Sequence, residues 1–270
     1  MSTSAYHEQR TYPDHIRLHS TPLTGLEFLA HWHQDHELIF ITGGQQVIGI
    51  NQQQFQLSVG HIVLIAQRDI HYFTEHQNTA GFMFIFRDKW ISHLLPEASW
   101  HWYIEDPDQL DELVELARQI VLENNSRTTH NELAAEGHLQ LFLSSLLKNL
   151  SPDSSCEIVS SGQQRMAYMQ EILSYIDDHF CAPLTREDIA SQFHLSVSHF
   201  TRLFRAATGQ TLTDYLARKR IESVCHELQQ TDLPVTEIAL QHGYSSIRTF
   251  NRVFQKIMGV APSAVRVGEL

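Results

Sequence analysis

The chain has 270 residues, 42% hydrophobic and 19% charged, with a formal net charge of −12. That length fits two domains and supplies ample apolar material for real cores. No run reaches the roughly 18 apolar residues of a membrane span. The opening MSTSAYHEQRTYPDH lacks an apolar signal core, and Cys156, Cys181 and Cys225 show neither metal spacing nor obvious pairing, so a reduced, cytoplasmic protein is expected.

The charge is unevenly placed. Residues 1–162 hold 8 Lys and Arg against 20 Asp and Glu, whereas residues 163–270 hold 11 of each. An acidic first half argues against contact with nucleic acid there. In the neutral second half, any such affinity depends on where Arg202, Arg205, Arg218, Arg220, Arg248, Arg252 and Lys256 sit.

From Thr24 to about Arg87 the pattern is strand-like. Glu37–Thr42, Gln46–Ile50, Gln54–Val59, His61–Ile65 and Gly81–Phe86 are short apolar segments. Gly43-Gly44, Asn51-Gln52 and Gly60 separate them as turn signals. Closely spaced strands of this kind predict an antiparallel β-barrel or jelly roll. Inside it lie His31, His33, Glu37 and, after Gly60, His71. Residues two apart on a strand face the same way, so His31 and His33 share a face, and Glu37 joins them if the alternation persists. These four residues either line a cavity for an organic effector, hold a metal, or stand as satisfied polar groups near a barrel mouth.

Trp90, Trp100, Trp102 and Tyr103 follow, and are expected to close the barrel against the next helices. Asp108 is the expected N-cap of a helix to about Asn124, with Leu113, Leu116, Ala117, Ile120 and Val121 on one face. The Leu113–Ile120 side is a candidate dimer face. A second helix is expected over about Asn131–Leu150, and the Ser-rich stretch 151–162 is a linker.

The second half is organised by a repeat. Ser196, Phe200, Arg202, Phe204 and Gly209 recur fifty residues later as Ser246, Phe250, Arg252, Phe254 and Gly259. Each Ser suits a helix N-cap, each Phe pair lies on one helical face with Arg on another, and each unit is preceded by an Ile-Ala pair, Ile189-Ala190 or Ile238-Ala239. This is a helix-turn-helix written twice. Gln163–Phe180 is an expected helix before the first unit, and a helix from about Thr213 to Gln229 joins the two.

With Tyr215-Leu216, Arg220-Ile221, Gly243-Tyr244, Pro262 and Arg266 added, this signature resembles the AraC/XylS family of bacterial transcription regulators. The chain departs from the family pattern at Val224, Gln255 and Val265, of which Gln255 removes a basic residue suited to phosphate. The spacing His31-x-His33-x3-Glu37, then Gly60-x10-His71, is similar to the two metal motifs of cupins, with departures at Ala66, Arg68 and Glu75. That second resemblance implies one divalent metal (Zn, Fe, Ni or Mn) on the four residues.

Together the resemblances imply two domains. Residues 1–150 would form a cupin-like effector-binding and dimerisation domain, residues 151–162 a linker, and residues 163–270 an all-α DNA-binding domain. On the recognition helices, Ser198, His199, Thr201, Arg202, Ile247, Arg248, Asn251 and Arg252 are placed to meet base edges. Arg205, Thr249 and Lys256 are placed to meet phosphates. The expected function is sequence-specific regulation of transcription, as an activator, by a homodimer that contacts RNA polymerase. Its effector would be a small molecule, a sugar by fold-level analogy. The alternatives are a metal-responsive regulator and a metal-dependent cupin enzyme.

Overall fold

The computed structural model describes residues 18–86, 99–126, 128–148, 156–159 and 163–266. Trp90 and the N-terminal segment before Leu18 lie outside the described residues. Two compact units divide the chain: one takes in Gln9–Phe28 and Trp32–Met166, with most of the sheet and the helices beside it, the other Leu29–His31 and the helices from Ala167 onward.

The first unit is built on one antiparallel eight-stranded sheet. Its strands are β1 (Leu18–Leu23), β2 (Phe28–His31), β3 (His36–Ile50), β4 (Gln53–Ser58), β5 (His61–Ile65), β6 (His71–Phe86), β7 (Ser99–Tyr103) and β8 (Cys156–Val159). The order is β1-β6-β3-β5-β7-β8, with β2 on β6 and β4 on β3. Gly43-Gly44, expected as a turn, lies inside the fifteen-residue β3. Register shifts there and at Gln46/Ile48 bend the strand without ending it.

Side-chain alternation gives the sheet two apolar faces. Leu38 and Phe40 of β3, Ile62 and Leu64 of β5, and Phe84 and Phe86 of β6 belong to one cluster. It also contains Leu113, Ala117 and Ile120 of α1 (Pro107–Asn125) and Leu139, Phe142 and Leu146 of α2 (Thr129–Lys148). Phe142 anchors the layer, its ring 5.8 Å from Phe40 and 5.7 Å from Phe84. The expected dimer face Leu113–Ile120 is therefore taken up by the chain's own sheet, with Leu113, Ala117 and Ile120 fully buried. The α1 N-cap is Asp106 rather than Asp108: its carboxylate accepts from the Asp108 N–H at 3.0 Å and Pro107 occupies the first turn.

The opposite face carries Ile39 and Ile41 of β3, Val63 and Ile65 of β5, and Phe73 of β6 in a second buried cluster. Glu37 and His71 lie two residues along the same strands, so alternation turns them to this inner face as well. The stretch expected as the linker contains β8, which pairs with β7 in the register Ser99↔Val159 to Trp102↔Cys156.

The second unit is helical: α3 (Gln163–His179), α4 (Arg186–Gln192), α5 (Val197–Thr208), α6 (Leu212–Gln230), α7 (Val235–Gln241), α8 (Ile247–Met258) and α9 (Pro262–Arg266). Thr185 opens α4 with a complete capping box to Asp188. Ile221, Val224 and Leu228 of α6 pack with Ile238, Ala239, Phe250 and Phe254 in one core. In the first helix-turn-helix the Phe204 ring meets Tyr215 of α6 edge-on at 5.4 Å. Val224 and Val265 are both buried, so those departures from the family pattern are repacked core positions.

Candidate nucleic-acid interface and ligand centre

Helices α5 and α8 are built by the same local rules. Each has twelve residues, and the hydroxyl of the N-cap Ser196 or Ser246 accepts from the third helical N–H, that of His199 or Thr249. Each stops at a glycine with φ 71, Gly209 or Gly259, whose N–H returns to the helix. Each buries its Phe pair with ring centroids 5.5 Å apart. Burying that face fixes the opposite one outward.

Ser198, His199, Arg202 and Arg205 are exposed on α5, as are Arg248, Thr249, Asn251, Arg252 and Lys256 on α8. Two expected base-facing residues sit differently. Ile247 is half-buried and packs on the α8 core. Thr201 is half-buried, and its hydroxyl donates to the Val197 carbonyl at 2.7 Å. Gln255 caps its own helix end, donating to the Gly259 carbonyl at 2.7 Å.

Arg220 is also not a surface cation. Its Nε donates to the Phe180 carbonyl at 2.7 Å and Nη2 to that of Ala182 at 2.8 Å, with the guanidinium 5.9 Å from the Tyr244 ring centre. Sequence reasoning missed Arg186. It lines a groove of about 360 Å³ beside α5 together with Thr201, Arg205, Thr211 and Thr213. Arg186 falls on the preceding helix, outside the repeated motif, so no spacing pointed to it.

His31, His33, Glu37 and His71 do converge. All four are buried, and their ligand atoms lie within 4.8 Å of one another. His31 ends β2, His33 sits in the turn before β3, Glu37 is on β3 and His71 opens β6. Each ring is oriented from behind by a backbone carbonyl. Nδ1–H of His31 donates to Leu29 at 2.8 Å, that of His33 to Asp35 at 2.8 Å, and that of His71 to Asp69 at 2.9 Å. Such bonds fix the tautomer and present Nε2 as the ligating atom. The Glu37 carboxylate lies 3.1 Å from His33 Nε2 and 3.7 Å from His71 Nε2.

Two donors at about 2.0–2.1 Å from a tetrahedral ion stand about 3.4 Å apart, and the observed pair straddles that value. The 3.1 Å contact is also that of an imidazole–carboxylate hydrogen bond, and the four residues form a group that could hold a metal. Three imidazoles and a carboxylate suit Zn, Fe, Ni or Mn and not the oxygen-seeking Ca or Mg. The departure at Arg68 does not spoil the geometry: Arg68 adopts the left-handed φ of 63 and donates its N–H to the His33 carbonyl at 2.8 Å. Glu75 is exposed on β6 and stands apart from the four ligands.

A β-sheet domain followed by a duplicated helix-turn-helix defines a ligand-responsive transcription regulator. The family description "AraC-like ligand binding domain" matches residues 15–147, and "Helix-turn-helix domain" matches residues 189–267. The chain belongs to the AraC/XylS family of transcription regulators. It is 24% identical over 253 residues to the HTH-type transcriptional activator RhaS of Escherichia fergusonii, covering 89% of this chain and 88% of the relative. Identity and coverage are the same for RhaS of Klebsiella pneumoniae. Among solved structures, an apo form of a ToxT variant from Vibrio cholerae is 14% identical over 93% of this chain and 97% of the other, with a TM-score of 0.46. Among the described residues, no helix is long and apolar enough to cross a membrane.

Proposed function

We propose that this chain is a cytoplasmic transcription activator that binds DNA through both helix-turn-helix units, under control of a ligand bound in its sheet domain. Residues 1–150 form the effector and dimerisation domain, 151–162 the linker and 163–270 the DNA-binding domain. The observation that carries this reading is the identical build of α5 and α8, each capped by Ser, stopped by Gly and turning an Arg outward.

Arg202 and Arg252 are suited to bidentate contact with guanine, and Asn251 to adenine. His199, Ser198 and Arg248 flank them. Arg205, Thr249 and Lys256 hold phosphates, positioning the helices without specifying sequence. Helix α6, nineteen residues long, spans about 28 Å. That length suits a rigid spacer between recognition helices in successive grooves about 34 Å apart. The working form is a homodimer that contacts RNA polymerase, and the chain is a binding protein rather than an enzyme.

The test is a footprint on promoter DNA adjacent to its own gene, paired with a transcription assay. The proposal expects protection of two segments about one helical turn apart on one DNA face, and raised transcription. Binding no tighter than to unrelated DNA at physiological salt would overturn it. Turnover of a small substrate by the purified chain would instead favour a cupin enzyme.

A further inference from the structure

The two helix-turn-helix units share their caps and their Phe pairs, but they differ at one corner. In the first, the start of α4, one side of α5 and the start of α6 enclose the groove of about 360 Å³. Its floor is apolar, with Phe200, Phe204 and Leu212 at most 5% exposed. Its cations are Arg186 and Arg205, both exposed. The Glu187 carboxylate stands 3.9 Å from Arg186, but both side chains are more than half exposed. An ion pair so well solvated holds an arginine only weakly.

The donors around this groove suit an anion. Two guanidiniums present planar forks that match phosphate oxygens. At the start of α6, the Asp214 N–H donates to Thr211 Oγ1 at 3.2 Å and the Tyr215 N–H to the Thr211 carbonyl at 2.9 Å. The first-turn N–H groups of Leu212 and Thr213 have no acceptor within the helix, and they lie at the end where the macrodipole favours negative charge. Thr201 adds no donor, because its hydroxyl already donates to the Val197 carbonyl at 2.7 Å. The Asp214 carboxylate accepts from the Thr211 hydroxyl at 2.6 Å and does not line the groove.

The groove also opens where a duplex strand would run. At about 100° per residue, Thr201 and Arg205 fall between the outward Ser198 and Arg202 and the buried Phe200 and Phe204. The first helix of a helix-turn-helix crosses the sugar-phosphate backbone. Here that helix is α4, and Arg186 is its first residue. The second unit does not repeat the corner. Counted from the Ile-Ala pairs, Arg186 corresponds to Val235, and counted from the Phe pairs, Arg205 corresponds to Gln255. Three residues past the terminating glycines, Leu212 corresponds to Pro262, which has no N–H. Gln255 is engaged with the Gly259 carbonyl of its own helix end.

We infer that the groove is a phosphate seat in which Arg186 and Arg205 together hold one phosphodiester of the DNA backbone over the first turn of α6, an anchor that the second unit lacks. The inference rests on the reading of this chain as a DNA-binding regulator. It makes the units unequal: the first is fixed to the backbone from α4, α5 and α6, whereas the second holds it from α8 itself.

The test uses the full chain with promoter DNA and with unrelated DNA, titrated from about 50 to about 200 mM salt. Arg186→Ala and Arg205→Ala should each lower the slope of log K against log salt by about 0.9 on both DNAs. The double variant should lower it by no more than either single one, because one phosphate is shared. Arg186→Lys keeps the charge and should keep most of the slope. Neutral methylphosphonate, placed one linkage at a time, should reveal a position beside the first half-site where wild type binds about tenfold more weakly. The double variant should be indifferent to that position.

An unchanged slope in Arg186→Ala overturns the seat. A double variant that loses about twice the single change in slope overturns the sharing, since two separate phosphates are then touched. Inorganic phosphate bound by the free chain and lost in Arg186→Ala, with slopes on DNA unchanged, makes the groove a site for free phosphate and overturns the DNA assignment. A phosphate contact is blind to sequence, so the regulator reading fails separately. Equal affinity for promoter and unrelated DNA would sink that reading, while the slopes still decide the seat.

Discussion

His194 and Gly243 occupy the same place in the two helix-turn-helix units, and both have left-handed backbones, with φ of 53 and 80. Each ends the turn after its short helix. Leu195 N–H returns to the Ala190 carbonyl at 2.8 Å, and Tyr244 N–H to that of Ala239 at 3.1 Å. The second turn reaches its N-cap Ser one residue later, so the fifty-residue repeat becomes forty-nine at the Ile-Ala pairs. One geometry is thus met by two residues of very different tolerance.

A stability difference follows. Left-handed backbone costs an L-residue on the order of 1 kcal/mol, so His194→Gly should stabilise the helical unit by up to about 1 kcal/mol. Gly243→Ala should do the opposite and by more. Its new Cβ would stand 2.3 Å from the Cys181 carbonyl oxygen, a clash worth at least about 2 kcal/mol. Thermal unfolding of the two variants checks both signs.

Glu222 gives a pH prediction. Burial raises its carboxyl to about 7, against the pull of Lys219 and Arg218, and burial lowers Lys219 to about 8. A carboxyl raised from 4.5 contributes stability that is fully present below pH 4.5 and is lost as pH rises through 7. The slope in that window is at most about 1.4 kcal/mol per pH unit. Glu222→Gln removes the group. Its melting temperature should gain on wild type progressively between pH 4.5 and 7, then hold a constant lead. An offset independent of pH would contradict this.

The expected phosphate contacts separate from the base contacts by salt. Replacing Arg205 or Lys256 by Ala should weaken binding about equally on all DNA sequences and reduce the slope of log K against log salt by roughly one. Binding measured from about 50 to about 200 mM salt decides it. Arg186→Ala should behave like Arg205→Ala if the groove they share faces the DNA backbone.

Much of this was legible in the chain itself, because the helical half depends on local rules. Caps, Phe spacing and terminating glycines act within one or two turns, so α5 and α8 fall where the Ser and Gly signals bracket them. The inward Arg220 was not legible: its partners Phe180 and Ala182 are some forty residues away. In the sheet domain, Gly43-Gly44 signals a turn, yet pairing of β3 with β4, β5 and β6 holds the strand together across it. β8 was hidden because four residues in a Ser-rich stretch carry too little periodicity to reveal a strand set by β7. His31, His33, Glu37 and His71 were singled out through their resemblance to the cupin motifs, and the fold brings them together.

Whether both recognition helices carry sequence-reading arginines is decided by the affinity of wild type, Arg202→Ala and Arg252→Ala for the promoter fragment and for unrelated DNA of the same length. Each substitution should cost about 1–3 kcal/mol on the promoter fragment and relax preference at its own half-site, with little change on unrelated DNA. If both variants bind the promoter fragment as wild type does, the two-unit account is wrong.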